Sequence, residues 1–336
     1  MKKSIVALAV LGAFAGAASA QSSVTIYGLL DMSVAKQNKV GGFKFLDGVP
    51  NSKAYTVQQS AGSRLGFRGN EDLGGGLSAQ FQIEHRFSPD TGLPAQTFWG
   101  GRSYVQLTNA GAGSVYLGRD YTPAFWPAVK SDPFGWDGVG QIGTAAWAGY
   151  LTPNANGGAL GVRTSNTVGV KSADFGGLTV QAAVGLSETT GLGRTNGFNV
   201  EYAGGPIYAA LGYEKVSKGL FDGQGLTSLA LHYDLGVAKL MGYYATAKIG
   251  ALGATSSKVY TLGVTAPVGP GKVKAMYYRV NPEGANNNGT KFGLGYDYAL
   301  SKRTGLYADM GIGKAEVLTG GSVTSNAYAF GVKHTF

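Results

Sequence analysis

Cysteine, charge and long hydrophobic runs are all scarce in this sequence. None of its 336 residues is Cys, and 14% are charged, whereas about a quarter of an average soluble domain is charged. After residue 20, no segment approaches the roughly 18 uninterrupted apolar residues of a membrane-spanning helix. These absences exclude a disulfide-stapled fold and a bundle of membrane helices. The low charge also argues against an ordinary soluble domain.

The first 20 residues have the three parts of a secretory signal peptide. Lys2 and Lys3 form a positive start, Ile5–Ala18 is apolar, and Ala18–Ala20 is a small-residue cleavage site. We expect a single domain over residues 21–336. Removal of the signal leaves 316 residues and lowers the formal charge from +9 to +7. Clusters of Lys and Arg typical of nucleic-acid binding are absent, so we expect no nucleic-acid partner.

Most of the remaining chain is rich in Gly and Tyr and alternates between apolar and polar residues. The clearest segment has one apolar and one polar face, formed by Leu77, Ala79, Phe81 and Ile83 and by Ser78, Gln80, Gln82, Glu84 and Arg86. About sixteen such segments follow one another, with short turns at one end and longer polar loops at the other. This pattern is typical of a transmembrane antiparallel β-barrel. An array of soluble β-sandwiches is the alternative architecture.

A closed barrel of this size predicts a channel. In lipid a sheet must close on itself, because an open edge would leave backbone groups unpaired. Eight strands leave an interior that side chains fill, whereas about sixteen leave an aqueous passage. Polar residues on the inward face could not pack a dry core at an acceptable desolvation cost. We therefore expect apolar side chains to face lipid and polar ones to face water.

One stretch, from Tyr121 to about Gly161, has no strand pattern and is longer than most loops. It contains too many aromatic residues for a disordered segment. These are Phe125, Trp126, Phe134, Trp136, Trp147 and Tyr150. We expect this stretch to fold into the barrel and to narrow the channel.

With the strands placed, the sequence resembles the general diffusion porins of Gram-negative outer membranes, especially those of beta-proteobacteria. The similarity spans the predicted mature chain. It is carried, in order, by Val24–Gly28, Ser63–Gly69, Glu71–Leu77, Gly118–Pro123, Arg163–Asn166 and Gly331–Phe336. The resemblance implies a sixteen-stranded barrel, a homotrimer in outer-membrane lipid and lipopolysaccharide, and a third extracellular loop that bends into the pore. It also implies that the outer-membrane assembly machinery reads the terminal Phe336.

The resemblance further implies which residues line the constriction. By motif position, Arg64, Arg102 and Arg163 form a basic ladder facing the loop. The family places acids in that loop around a Pro-Glu-Phe-Gly stretch. The matching residues here are Asp132–Gly135, followed by Asp137. We expect both aspartates to face the ladder and create a transverse field, with turn capping as the alternative for each.

Strand parity and loop position add further candidates for the lumen. We place Lys130 and Asp120 at the constriction and Arg68, Arg86, Glu84 and Tyr104 elsewhere on the inner wall. The constriction then carries a slight excess of basic side chains over acidic ones. Together with the +7 mature charge, this excess predicts a mildly anion-selective channel for passive diffusion of small hydrophilic solutes and ions.

Arg119 shares the parity of Val115 and Leu117, which places it on the lipid-facing side. An Arg near mid-membrane on that face costs roughly 2–4 kcal/mol. We expect it to lie at a subunit interface, paired with an acid from a neighbouring subunit. A local bulge that turns Arg119 inward is the alternative.

Other functions are possible for such a barrel. His85, His232 and His334 have no metal-ligand spacing, and no Ser–His pair sits in a catalytic motif. We therefore expect no catalytic residues, metal or cofactor. A substrate-specific channel, for sugars or organic anions, would need an aromatic path for which Tyr104, Tyr116, Trp126 and Trp136 are candidates. A closed barrel acting as an adhesin, phage receptor or lipid-hydrolysing enzyme is the remaining alternative.

Overall fold

The computed structural model describes residues 23–37, 54–95, 97–150, 162–187, 191, 193–219, 221–249, 255–283, 288–316 and 321–336. The predicted signal peptide at 1–20 and the last part of the long stretch, 151–161, lie outside the described residues. Among the residues described, no helix is both long and apolar enough to cross a membrane.

Sixteen long antiparallel strands in the described chain form one closed sheet. The strands are β1 (Ser23–Gln37), β3 (Arg64–Gly74), β4 (Leu77–Ser88), β6 (Ser103–Asn109), β7 (Gly113–Tyr121), β8 (Arg163–Ser172), β9 (Leu178–Gly185), β10 (Arg194–Gly204), β11 (Ile207–Ser217), β12 (Gly225–Asp234), β13 (Lys239–Ile249), β14 (Thr255–Val268), β15 (Gly271–Pro282), β16 (Gly289–Ala299), β17 (Thr304–Glu316) and β18 (Ser322–Thr335). Closure comes from β1, which pairs with both β3 and β18. The predicted sixteen-stranded barrel is confirmed.

Two short strands were not predicted from the sequence. Strand β2 (Tyr55–Gln58) pairs with β1, and β5 (Leu93–Pro94) pairs with the end of β4. Both lie in connections on the rim that carries the longer loops, and each is too short to show a repeating pattern.

The outer face of the barrel is apolar and exposed. On β12, for example, Leu229 and Leu231 are 50% and 63% exposed, whereas the alternate residues Ser228 and His232 are buried. A soluble sheet would hide such leucines, so their exposure indicates that lipid surrounds the barrel. The last strand behaves in the same way, with Phe330 and Val332 exposed on the outside.

Short turns join the strands on one rim. The turn between β3 and β4 requires Gly74, Gly75 and Gly76, because all three have positive φ, at 81°, 60° and 78°. Both chain ends of the barrel lie on this rim: Ser23 pairs with Asn70, which is close to that turn, and Phe336 exchanges backbone hydrogen bonds with Gly28. The third connection on the opposite rim, between β7 and β8, is the long stretch predicted to narrow the channel.

Residues 122–150 of this connection lie against the inner wall. They form helix α1 (Phe125–Lys130), which contacts β10, β11 and β12, and a 3₁₀ helix (Gly143–Trp147), which contacts β13 and β14. Between the helices, the loop backbone at Val139 and Gly140 approaches Gly311 and Gly293 so closely that a side chain on either glycine would collide with it. We call residues 122–150 the inner loop.

The wall beneath the inner loop departs from the expected pattern of polar inward residues. Its inward positions include Val216, Leu226, Tyr243, Val259 and Met276, all buried in one cluster with loop residues. The loop residues of that cluster include Phe125, Phe134, Trp147 and Tyr150. Burial of this apolar surface docks the loop onto one side of the barrel, and the polar inward faces remain on the other side.

Candidate functional site: the channel constriction

A basic surface lies on the part of the wall that the inner loop leaves uncovered. It is built on β3, β4 and β8 and at the adjoining ends of β6 and β7, whose inward positions carry charged side chains. We call it the arginine wall; its basic members are Arg64, Arg86, Arg102, Arg163 and Lys171.

Arg102 and Asp120 form a paired unit in this wall. Arg102 donates from Nε to Asp120 Oδ1 at 2.7 Å and from Nη2 to Oδ2 at 2.9 Å. Lys171 Nζ adds a third contact, 3.2 Å from Oδ2. The Asp120 side chain is fully buried. Asp120, predicted as a constriction acid, is thus surrounded by two cations and presents no carboxylate to the lumen.

Arg86 is held by a second carboxylate, Glu84. Arg86 Nε donates to Glu84 Oε1 at 2.7 Å, and its Nη atoms donate to the carbonyl of Gly62 and to the hydroxyl of Tyr121. Tyr27 donates a further hydrogen bond to Glu84 Oε2 at 3.1 Å. This network orients the Arg86 guanidinium, and Glu84 also lies within electrostatic reach of Arg64 and Arg163.

Arg64 and Arg163 have no carboxylate partner among the described residues. Arg163 is 9% exposed, donates to the Tyr121 hydroxyl and stacks 4.1 Å from the centre of that ring. Its buried Nε, like that of Arg64, has no hydrogen-bond partner in the described chain. Both arginines lie within electrostatic reach of Glu84, which Arg86 already neutralises. Five basic side chains of the wall therefore face two carboxylates.

The inner loop contributes less acid to the constriction than the sequence predicted. The side chain of Asp132 is buried and caps turns of the loop: Oδ1 accepts from the backbone N–H of Phe134 at 3.0 Å, and Oδ2 from those of Trp136 and Ile142 at 3.1 and 3.0 Å. Burial raises the pKa of this carboxyl above its ordinary value. The prediction that Asp132 faces the basic ladder of Arg64, Arg102 and Arg163 is wrong. The side chain caps turns of the loop instead.

Asp137 is the loop acid that reaches the lumen. Its carboxylate lies 3.8 Å from Lys333 of β18 and within electrostatic reach of Arg64. The neighbouring N–H of Gly138 donates to the carbonyl of Ser60 at 3.1 Å, which attaches the tip of the loop to the wall. The position of Asp137 inside the barrel removes much of its carboxyl from water, and this raises its pKa to about 6. The side chain is nevertheless 30% exposed to the lumen.

Comparison with known proteins agrees with this geometry. A family model described as Gram-negative porin matches residues 7–316. The chain belongs to the Gram-negative porin family. It is 36% identical to outer membrane porin protein 32 of Delftia acidovorans, over 99% of this chain and 95% of that protein. It is also 30% identical to an outer membrane porin protein of Bordetella pertussis, over the full length of both.

Among solved structures, this porin matches an anion-selective porin from Comamonas acidovorans. The TM-score is 0.80 at 30% sequence identity, covering 94% of this chain and all of the other. Together with the sequence relatives, this match shows that the protein is an outer-membrane porin with a closed sixteen-stranded barrel.

Lys130 lies away from the arginine wall of this porin. Its ammonium group forms an ion pair with Glu201 of β10 and lies 5.4 Å from the ring centre of Tyr208. The Lys130 side chain stays 48% exposed inside the barrel, but Glu201 offsets the charge that it was predicted to add to the basic side of the constriction.

Arg68 and Tyr104 extend the polar wall beyond the arginines. Arg68 is exposed, with its guanidinium 5.4 Å from the ring centre of Tyr27. Tyr104 donates to Gln82 Oε1 at 3.1 Å and lies under the Arg102 guanidinium. Tyr116, by contrast, is fully buried, so it cannot belong to an aromatic path along the lumen.

Arg119 keeps its lipid-side position, because its pairing with Ser103 of β6 is regular. The pairing is irregular between β7 and β8, where β8 has one extra residue opposite Gly118–Asp120. Arg119 Nε donates to the carbonyl of Gly100 at 3.1 Å and Nη1 to Ser165 Oγ at 3.0 Å. A bulge is thus present beside Arg119 but does not turn it inward, and no carboxylate partner appears in the described residues.

The histidines of the porin have structural contacts. His232 Nε2 lies 2.9 Å from Ser131 Oγ, but that hydroxyl also donates to the carbonyl of Pro127 at 2.7 Å, so it is not set up as a nucleophile. His85 stacks on Phe98, and His334 lies 2.9 Å from the hydroxyl of Thr304. No group of three or more potential metal ligands occurs within the described ranges.

A second charged cluster was not singled out from the sequence. Lys274 is buried between Asp297 and Asp309, at 2.7 and 3.1 Å, beside a cavity of about 440 Å³ that Asp137 and Lys333 also line. Strand parity gives the signal for its wall members, since each occupies an inward position. Lys171 was not singled out either, although its position after the outward Val168 and Val170 places it on the inward face.

Proposed function

We propose that this porin is a passive, mildly anion-selective channel for small hydrophilic solutes and ions. The observation that carries the selectivity is the pair Arg64 and Arg163, which form no ion pair with a described carboxylate, on a wall whose five cations have two carboxylates, Glu84 and Asp120, among them. The selectivity of the Comamonas acidovorans porin, which shares 30% of its sequence with this chain, supports the same conclusion.

The mechanism follows from where charge is held in the lumen. Arg86 and Arg102 are fixed by Glu84 and Asp120 and order the wall. The uncompensated Arg64 and Arg163 create a positive potential that raises the local concentration of anions and lowers that of cations. Asp137 on the loop side reduces this potential, which keeps the selectivity mild. The inner loop limits solute size by occupying the opposite side of the lumen.

Planar-bilayer recording of the purified oligomer tests this function. We expect stable conductance steps in KCl and, under a KCl gradient, a reversal potential with the sign of chloride preference. Absence of conductance would favour a closed barrel. A cation-preferring reversal potential would overturn the selectivity while leaving the channel intact.

The functional unit we propose is a homotrimer in outer-membrane lipid and lipopolysaccharide, without cofactor or catalytic activity. The outer-membrane assembly machinery would recognise Phe336, whose backbone closes the seam with Gly28. The signal peptide over residues 1–20 would be removed before assembly, and N-terminal sequencing of the mature protein should begin at Gln21.

Arg119 is our candidate for the subunit interface. Its guanidinium lies on the lipid side with only a carbonyl and a hydroxyl as described acceptors, so a carboxylate from a neighbouring subunit would complete its environment. We expect Arg119→Ala to lower the temperature at which the trimer dissociates in detergent, while the monomeric barrel stays folded. Unchanged trimer dissociation would contradict the interface role.

A further inference from the structure

The constriction combines uncompensated arginines with an aromatic surface of the inner loop. Tyr121 stacks on Phe125, with ring centres 4.1 Å apart and planes 11° apart, and the Arg163 guanidinium lies 4.1 Å from the centre of the same Tyr121 ring. Phe125 is buried, whereas Tyr121 and Trp126 stay partly exposed. Because these residues lie inside the barrel, their exposed parts face the aqueous lumen.

Trp126 connects this aromatic surface to the arginine wall. Its ring packs edge-on against Tyr121 and Phe125, at 5.4 and 5.6 Å between centres. On the wall side, the guanidinium of Arg102 lies 5.9 Å from the Trp126 ring centre. Aromatic and cationic groups thus contact one another across the constriction, in edge-on and cation–π geometries that stabilise such pairs.

The same place offers hydrogen-bond donors for a carboxylate. Arg163 is nine-tenths buried, and its Nε has no hydrogen-bond partner in the described chain, as is also true of Arg64. Tyr121 accepts hydrogen bonds from both Arg86 and Arg163, which fixes the two guanidinium groups beside its ring. The Nε atoms themselves are shielded from the lumen, so an anion in transit would be bound by the accessible parts of the Arg64 and Arg163 guanidinium groups, which form no ion pair among the described residues.

We propose that the constriction is a transient binding site for aromatic carboxylates, with the carboxylate held by Arg64 and Arg163 and the ring against Trp126 and Tyr121. This inference rests on the proposed anion-selective channel, and it names the class of anion that the channel binds best. Aliphatic carboxylates would meet the arginines but gain little from the aromatic surface.

The test compares two carboxylates of equal charge and similar ring size as blockers of chloride current in planar bilayers. Benzoate presents an aromatic face, and cyclohexanecarboxylate does not. We expect benzoate to halve the current at about three- to tenfold lower concentration, the range that aromatic pairing provides. Trp126→Leu should bring the ratio of the two half-blocking concentrations close to one, and Trp126→Phe should retain most of it.

Trp99→Leu is the matched control, because Trp99 packs against Phe67 and Phe98 outside the lumen and should leave the ratio unchanged. Equal block by the two carboxylates in the wild type would overturn the inference. So would a ratio that persists in Trp126→Leu with normal KCl conductance. If that variant does not assemble, the wild-type ratio alone decides. The KCl reversal potential of the same channels tests the proposed function separately.

Discussion

The two sides of the lumen differ in what covers them. On the arginine wall, inward residues are charged and border the lumen, and the carboxylates paired with Arg86 and Arg102 are buried. On the opposite side, from β11 to β15, inward residues such as Val216 and Met276 are apolar and are covered by the inner loop. The same strand geometry therefore gives two different surfaces: we assign ion selectivity to the bare side, and pore size to the inner loop held on the covered side.

The largest effect should come from undocking the loop. Trp147 is fully buried between the inner loop and the wall, so Trp147→Ala should destabilise that contact by about 3–5 kcal/mol. We expect a larger, noisier single-channel conductance with the sign of ion selectivity retained. Trp99→Ala, at an exposed site, is the control. Unaltered conductance in Trp147→Ala would show that the loop does not depend on this apolar docking.

A smaller effect should follow from titration of Asp137, which stands between the two sides. Its pKa is raised to about 6 by burial, so the carboxyl is negative above that pH and neutral below it. Acidification from about pH 8 to pH 5 should therefore remove the negative charge of Asp137 and increase chloride preference. Reversal potentials across this range provide the measurement. Asp137→Asn should prefer chloride more strongly than the wild type at pH 8 and change less on acidification, and a wild-type profile without any change would contradict this role.

The smallest effect is expected for Lys130. Because its charge is offset by Glu201, Lys130→Gln should change the chloride-to-potassium permeability ratio much less than loss of an uncompensated arginine does. Measurement of both variants in one KCl gradient ranks them. Equal effects of Lys130→Gln and Arg64→Gln would show that ion pairing does not decide which cations matter.

Strand parity was enough to predict most of the bare side of the lumen. Arg64, Arg86 and Glu84 face inward because side chains alternate along regular strands, and that rule needs no tertiary information. The same rule also predicted the sixteen strands. It located the ends of the strands less well, and it missed β2 and β5, which are too short to show an alternating pattern.

The covered side could not be predicted in the same way. An irregular loop has no period, so the partners of Asp132, the N–H groups at residues 134, 136 and 142, depend on the path of the whole loop. The partner of Lys130 is equally remote, at Glu201. The apolar inward residues from Val216 to Met276 look like exceptions to alternation until the loop that covers them is known.

The most direct measurement compares the reversal potential of the wild type with that of the Arg64→Gln/Arg163→Gln double variant under one KCl gradient. Arg303→Gln, on an exposed turn, serves as the control for loss of a basic residue. Chloride preference should be abolished or reversed in the double variant and unchanged in the control, with all three barrels equally heat-stable. An unaltered chloride preference in the double variant would contradict the assignment of selectivity to the two uncompensated arginines.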